Sequence, residues 1–131
     1  MYILITAIVI ISIFVGLRFL LQRRAQRSKG KKIDLSIFDD KIKTLLKSEK
    51  SLLYFFTPTC GACKSQTPII DRLEEQTKAV GKIDLSVNRS AATEFGIIGT
   101  PSTVIMSGNV IAEIFVGFKK ADFLKRKLDE V

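Results

Sequence analysis

Twenty consecutive residues, Tyr2 to Leu21 (YILITAIVIISIFVGLRFLL), contain one charge, Arg18, and no polar face. A helix lying on a soluble domain needs a polar stripe, so this run does not fit one. At 1.5 Å per residue its length matches the ~30 Å hydrocarbon core of a bilayer. The run reads as a transmembrane anchor over residues 1–21, with Arg18 reaching the interface along its aliphatic stem. A cleaved signal peptide wants charge before its apolar core and a small-residue site after it. Here QRRAQR follows instead. A buried core helix is the other alternative, and six basic residues at its end argue against it. What remains has the length of one compact domain.

The charge distribution agrees. The 131 residues carry a net charge of +8, yet residues 1–32 hold seven cations (Arg18, Arg23, Arg24, Arg27, Lys29, Lys31 and Lys32) and no acid. Residues 33–131 are nearly neutral. A basic balance suggests nucleic acid, but the basicity here sits in one short segment without the interleaved aromatics that single-strand binding uses. No nucleic-acid partner is predicted. Residues 22–32 read as a basic, self-repelling tether. Positive flanks tend to stay in the cytoplasm, which predicts a cytoplasmic face for the domain. An extracytoplasmic domain is the alternative if Arg18 marks a tilted or shortened span.

From residue 33 onward, helical and strand patterns alternate. Ile33 to Leu35 suggests a short edge strand. Ile37 to Leu46 has helical spacing, with Ser36 as a candidate N-cap. Ser51 to Phe56 (SLLYFF) is a short apolar run suited to a strand buried on both faces. A helix is expected from Cys60 to about Thr77, interrupted by Pro68. Lys82 to Val87 alternates as a strand, and Ala91 to Phe95 is a short helix stopped by Gly96. Ser102 to Met106 and Val110 to Val116 form a hairpin across Ser107-Gly108-Asn109. Ala121 to Val131 is a terminal amphipathic helix. This order predicts an α/β fold: a mixed central sheet flanked by helices.

The chain has two cysteines and no histidine. That excludes Ser-His and Cys-His couples, His-ligated metals and four-cysteine zinc sites. Both cysteines lie in Thr59-Cys60-Gly61-Ala62-Cys63-Lys64, between a strand and a helix. At i and i+3 they share a helical turn, close enough to bridge. Cys60 falls where free N–H groups and the helix dipole favour negative charge, which lowers a thiol pKa. Cys63, one turn on, is expected to be the more buried sulfur. Half a zinc site would need a second half that the chain lacks. A structural staple closing so short a loop removes little unfolded-state entropy. The pair therefore reads as a redox dithiol.

Further segments carry a family resemblance. Residues 33–131 resemble a thioredoxin-fold domain: Cys60-Gly61-Ala62-Cys63-Lys64 resembles the active-site motif, Pro68 the helix proline, and Lys82-Ile83-Asp84 the following strand. Phe95-Gly96-Ile97-Ile98-Gly99-Thr100-Pro101-Ser102 resembles the cis-proline loop, and Gly117 matches the glycine before the last helix. The resemblance implies a cis Pro101 facing the sulfurs and a Thr100 backbone that pairs with a bound chain. Gly61 and Ala62 would let a substrate approach. It also implies Cys60 as nucleophile and Cys63 as resolving thiol, with no bound cofactor and no metal. Partners would be protein thiols and disulfides, a redox partner such as a thioredoxin reductase or a membrane electron donor, and the lipid bilayer.

The departures bear on mechanism. Thr59 stands where tryptophan is usual, and Ala62 where thioredoxins have proline and isomerases histidine. Tyr54 replaces the family's buried aspartate. Lys82 matches the lysine that accompanies that aspartate. Either it stays near the sulfurs without its partner and holds a thiolate, or it extends to solvent. The expected function is a membrane-anchored thiol–disulfide oxidoreductase that reduces or exchanges protein disulfides. The alternative is a membrane-tethered binding module of the same fold, for copper or for polypeptide.

Overall fold

A computed structural model describes residues 1–131, the side chains of residues 25 and 26 excepted. Helix α1 (Tyr2–Gln26) continues past the predicted end of the apolar run, and none of its Tyr2–Arg24 stretch is buried. It is therefore not a core helix. Arg23 and Arg24 in its last turn complement the negative end of the helix dipole.

The segment read as a free tether is largely structured. The Gly30 N–H donates to the Ile111 carbonyl, the Ile111 N–H to Lys31, and the Ile33 N–H to Asn109. Lys32 thus forms a single antiparallel bridge with Val110. This corrects the strand expected over Ile33 to Leu35. The Asp34 carboxylate accepts the Ser36 N–H at 2.9 Å and bends the chain into a 3-10 turn, Leu35–Ile37. Ile33 is buried, but as a plug in the core rather than as part of a strand.

Helix α2 (Asp40–Leu46) is capped by Asp39, not by Ser36: the Asp39 carboxylate accepts the Ile42 N–H at 2.9 Å. Strand β1 (Lys50–Phe56) follows, then α3 (Cys63–Gln76), β2 (Val80–Asp84), α4 (Arg89–Phe95), β3 (Ser102–Ser107), β4 (Val110–Val116) and α5 (Ala121–Asp129). β2 starts and ends earlier than its alternation suggests. Its end is set by Asp84, whose carboxylate accepts both the N–H and the hydroxyl of Ser86 and turns the chain. The sheet order is β2-β1-β3-β4, with β1 and β2 parallel and the other pairs antiparallel.

The pleat of β1 supplies both cores. Leu53 and Phe55 face α2 and α4, among Phe38, Ile42, Phe95 and Ile114. Leu52 and Tyr54 face α3 and α5, among Ile70, Leu73, Leu124 and Leu128. All four β1 residues have no exposure. Fully burying each such side chain is worth about 1.5–3 kcal/mol. Edge strand β4 is partly covered by Gly30–Ile33, which hides backbone groups that would otherwise invite pairing with another chain.

The docked segment also clasps α4. The Lys31 ammonium donates to the Glu94 carbonyl at 2.6 Å, and the Glu94 carboxylate accepts the Asp34 N–H at 3.0 Å. Gly96 ends α4 in the left-handed region, φ 67°, with Ser28 where a Cβ would project. Gly96→Ala is expected to lose about 1–2 kcal/mol, from the left-handed backbone and the Ser28 contact together. A urea unfolding midpoint that matches the parent chain would refute this account of the α4 end.

Candidate functional site

β1 ends at Phe56, and residues 57–62 turn at the end of the sheet before α3 begins. The Cys60 N–H donates to the Thr57 carbonyl and tightens this turn. The helix begins at Cys63, not at Cys60 as its spacing suggested. Gly61 and Ala62 form a turn, and the Lys64 N–H still reaches back to the Gly61 carbonyl. The first helical N–H, that of Cys63, donates to the Cys60 Sγ at 3.2 Å. The disulfide sulfur of Cys60 thus accepts the N–H that opens the helix, at the end where the helix dipole favours negative charge.

Cys60 and Cys63 are joined as a disulfide with their Cα atoms 5.3 Å apart. Cys60 is half-buried and Cys63 is buried, while Gly61 and Ala62 are exposed. One sulfur is open to an incoming group and the other is sheltered beneath it.

Pro101 lies at the same end of the sheet. Ser102 pairs with Phe55 near the end of β1, and the Thr100–Pro101 bond just before it is cis. Pro101 is buried and Thr100 half-buried. The Pro101 carbonyl accepts the Gly117 N–H at 2.8 Å, and Gly117 has φ 85°. Near them in sequence are two exposed apolar side chains, Ile98 and Phe118.

Beneath the disulfide is Tyr54. Its ring is fully buried and stacks on Phe56 with centroids 5.4 Å apart. Its hydroxyl lies 3.0 Å from the Thr67 Oγ1 and donates to the Cys63 carbonyl at 3.4 Å. Burial raises its pKa, and the hydrogen bond from Thr67 only partly offsets that. A neutral phenol therefore occupies the floor of the site.

Lys82, opposite Tyr54 in the β1–β2 register, has acidic partners. Its ammonium meets Asp71 at 2.7 Å and Glu74 at 3.3 Å, both on α3. Of the two options for Lys82, a place near the sulfurs without a partner and extension to solvent, neither holds in full: the side chain is one-third exposed and paired with carboxylates. The hydrogen bond to Asp71 is the main reason its pKa is raised. Burial would raise that of Glu74, but Lys41 and Lys82 outweigh it and hold the carboxyl below its ordinary range.

One organising residue escaped the sequence reading. Gln66 is fully buried on α3, one turn beyond Cys63. Its amide oxygen accepts the Lys119 N–H at 2.7 Å, and its amide NH2 donates to the Lys119 carbonyl at 3.0 Å. The signal was present in the helical periodicity: Cys63, Ile70 and Leu73 leave a gap on the buried face that position 66 fills.

Two outcomes are expected. Tyr54→Phe keeps the ring and removes the hydroxyl, and it should cost about 1 kcal/mol in urea unfolding. Lys82→Met should leave the Cys60 thiol titration unchanged and cost no more than about 1 kcal/mol at neutral pH, since the side chain is one-third exposed. The pH signs follow from the shifts. The raised Lys82 stabilises below its ordinary value of about 10.4 and loses this as pH climbs through the raised value. The lowered Glu74 stabilises above its ordinary value of about 4.3 and loses this as pH falls. The stability difference between the parent and Lys82→Met should thus shrink at both extremes. A difference that grows above pH 10 would contradict the pairing.

Comparison with known proteins points in one direction. Residues 30–130 match the family model described as Thioredoxin. A thioredoxin of Bacillus subtilis (strain 168) is 27% identical over 79 residues, covering 58% of this chain and 76% of that protein. A thioredoxin of Chlamydia caviae is 28% identical over 81 residues, covering 60% and 79%. Among solved structures, a point mutant of the thioredoxin from Halobacterium salinarum NRC-1 superposes with a TM-score of 0.65 at 28% identity, covering 71% of this chain and 84% of that one. Mitochondrial thioredoxin 3 from Saccharomyces cerevisiae, at 20% identity and a TM-score of 0.60, shares the fold; the match covers 70% and 88%.

Proposed function

The chain belongs to the thioredoxin family, and on that premise we propose that it is a membrane-anchored thiol–disulfide oxidoreductase acting through Cys60 and Cys63. The observation that carries this reading is the contrast between the two sulfurs. Cys60 is half-buried and accepts the first helical N–H at 3.2 Å, while Cys63 is buried.

In the reduced protein the Cys60 thiolate attacks one sulfur of a substrate disulfide. The substrate S–S bond breaks, a mixed disulfide forms, and the leaving thiolate takes a proton. Cys63 loses its proton and attacks the Cys60 sulfur. The second substrate thiolate leaves and is protonated, and the Cys60–Cys63 disulfide closes. Two electrons pass to the substrate together with two protons, one from Cys63 and one from solvent. A reducing partner, such as a thioredoxin reductase or a membrane electron donor, must return them. Thr100 and Pro101 form one wall of the groove, with Gly61 and Ala62 leaving the approach open. Tyr54 supplies no carboxylate to take the Cys63 proton, so that proton leaves by another route.

The anchor reading rests on a 25-residue helix, α1, whose Tyr2–Arg24 stretch is wholly unburied and is followed by cations. Residues 1–21 are read as the spanning segment, 22–32 as a link that is partly docked on the domain, and 33–131 as the redox domain. By the positive-inside tendency the domain faces the cytoplasm.

The test uses the full chain in detergent micelles with insulin and dithiothreitol. Reduction of insulin should be lost in Cys60→Ser. In Cys63→Ser a mixed disulfide with substrate should accumulate, visible on non-reducing gels. An active Cys60→Ser variant would refute the assignment. For the anchor, protease is added to intact cells carrying a C-terminal tag. Survival of the tag until lysis is expected, and its immediate loss would place the domain outside.

A further inference from the structure

We infer that Gln66 is a positioning residue that sets the substrate groove by tying the active-site helix to the loop beside Pro101. This deepens the oxidoreductase reading and rests on it. Gln66 makes two hydrogen bonds to one backbone unit, that of Lys119. A buried amide engaged this way mimics the two-bond pairing of neighbouring strands and fixes both the distance and the angle of the loop. The loop cannot drift without leaving the Gln66 amide and the Lys119 peptide unpaired in the interior.

The loop it holds is bonded to Pro101 and so extends the wall that Thr100 and Pro101 form. Gly117 donates to the Pro101 carbonyl, and Phe118, between Gly117 and Lys119, presents an exposed ring. Cys63 opens α3 three residues before Gln66. A continuous path of short bonds thus runs from the helix of the sulfurs, through Gln66 and Lys119, to Gly117 and Pro101. The occupant is an extended, disulfide-bearing polypeptide with an apolar side chain next to its cysteine. Such a side chain would pack on Phe118 and Ile98 while the sulfur meets Cys60. Gln66 makes none of its bonds to a sulfur, so its effect falls on substrate binding and not on the dithiol couple.

The experiment compares the parent full-length chain with Gln66→Leu and Gln66→Glu in detergent micelles. The probe is a two-chain peptide joined by a disulfide and carrying a fluorophore and a quencher, with dithiothreitol as reductant. Gln66→Leu should raise KM about threefold to tenfold, the effect of losing net hydrogen-bond energy from the groove. kcat and the glutathione equilibrium midpoint should stay unchanged, and amide exchange at Gly117 and Lys119 should quicken. Gln66→Glu keeps the acceptor for the Lys119 N–H and should fall between. If Gln66→Leu does not fold, Gln66→Glu decides by the same readouts. An unchanged KM with quickened exchange would show that the loop is no part of the groove. A KM that shifts together with the glutathione midpoint would show that Gln66 acts on the sulfurs. Either result overturns the inference. A parent chain that fails to cleave the peptide overturns the oxidoreductase reading itself, which is a separate outcome.

Discussion

Leu52, Leu53, Tyr54 and Phe55 have no solvent exposure, and the geometry of the site depends on that double-sided burial of β1. A strand packed on both faces can neither slide nor rotate, because a one-residue slip would exchange its two side-chain sets. Phe56 is therefore delivered to one place at the end of the sheet, and the turn to Cys60 starts there. The antiparallel register sets Ser102 opposite Phe55, so Pro101 arrives at the same end from the other direction. The two parts of the site come from segments about 40 residues apart, and they meet because both strands are pinned by one core.

The local electrostatics are built from backbone rather than from charge. No histidine exists to stabilise a thiolate, and the cluster on the α3 side of β2, Lys82 and Lys41 with Asp71 and Glu74, is internally compensated. The N–H of Cys63 is what remains, together with the partial positive charge of the helix start. A backbone donor does not titrate, so this hydrogen bond to the Cys60 sulfur does not depend on the protonation of any side chain. The neutral, hydrogen-bonded Tyr54 continues this pattern by filling the floor of the site without introducing a buried charge.

How much was legible in the sequence varied with the range of the interaction. The continuous apolar run of β1, the i, i+3 cysteines and the terminal amphipathic helix are local patterns, and each appears in the structure within a few residues of its expected bounds. Errors arose where two local options competed. Ser36 and Asp39 are both good caps, and Asp39 prevails because starting the helix there buries Ile42 and Leu46 together. Ile33 has strand character, but Asp34 diverts the chain into a turn. The partners of Lys82 and Gln66 lie across the tertiary structure, and nothing adjacent in sequence announces them. The cis geometry before Pro101 is of the same kind: X-Pro bonds are mostly trans, so a motif and not a local propensity pointed to it.

The attachment of α1 follows from the same sheet. Gly30 to Ile33 bond to Asn109 and Ile111, at the start of β4. The far end of β4, Val116, pairs with Ser102 beside the site. The six-residue step from Val110 to Val116 spans roughly 20 Å at ~3.3 Å per residue. The attachment and the Pro101 side of the site thus sit at opposite ends of one edge strand. A flexible tether would leave residues 30–33 without partners on the domain. A segment bonded to β4 and clasped to Glu94 is instead fixed to the domain by backbone and side-chain hydrogen bonds.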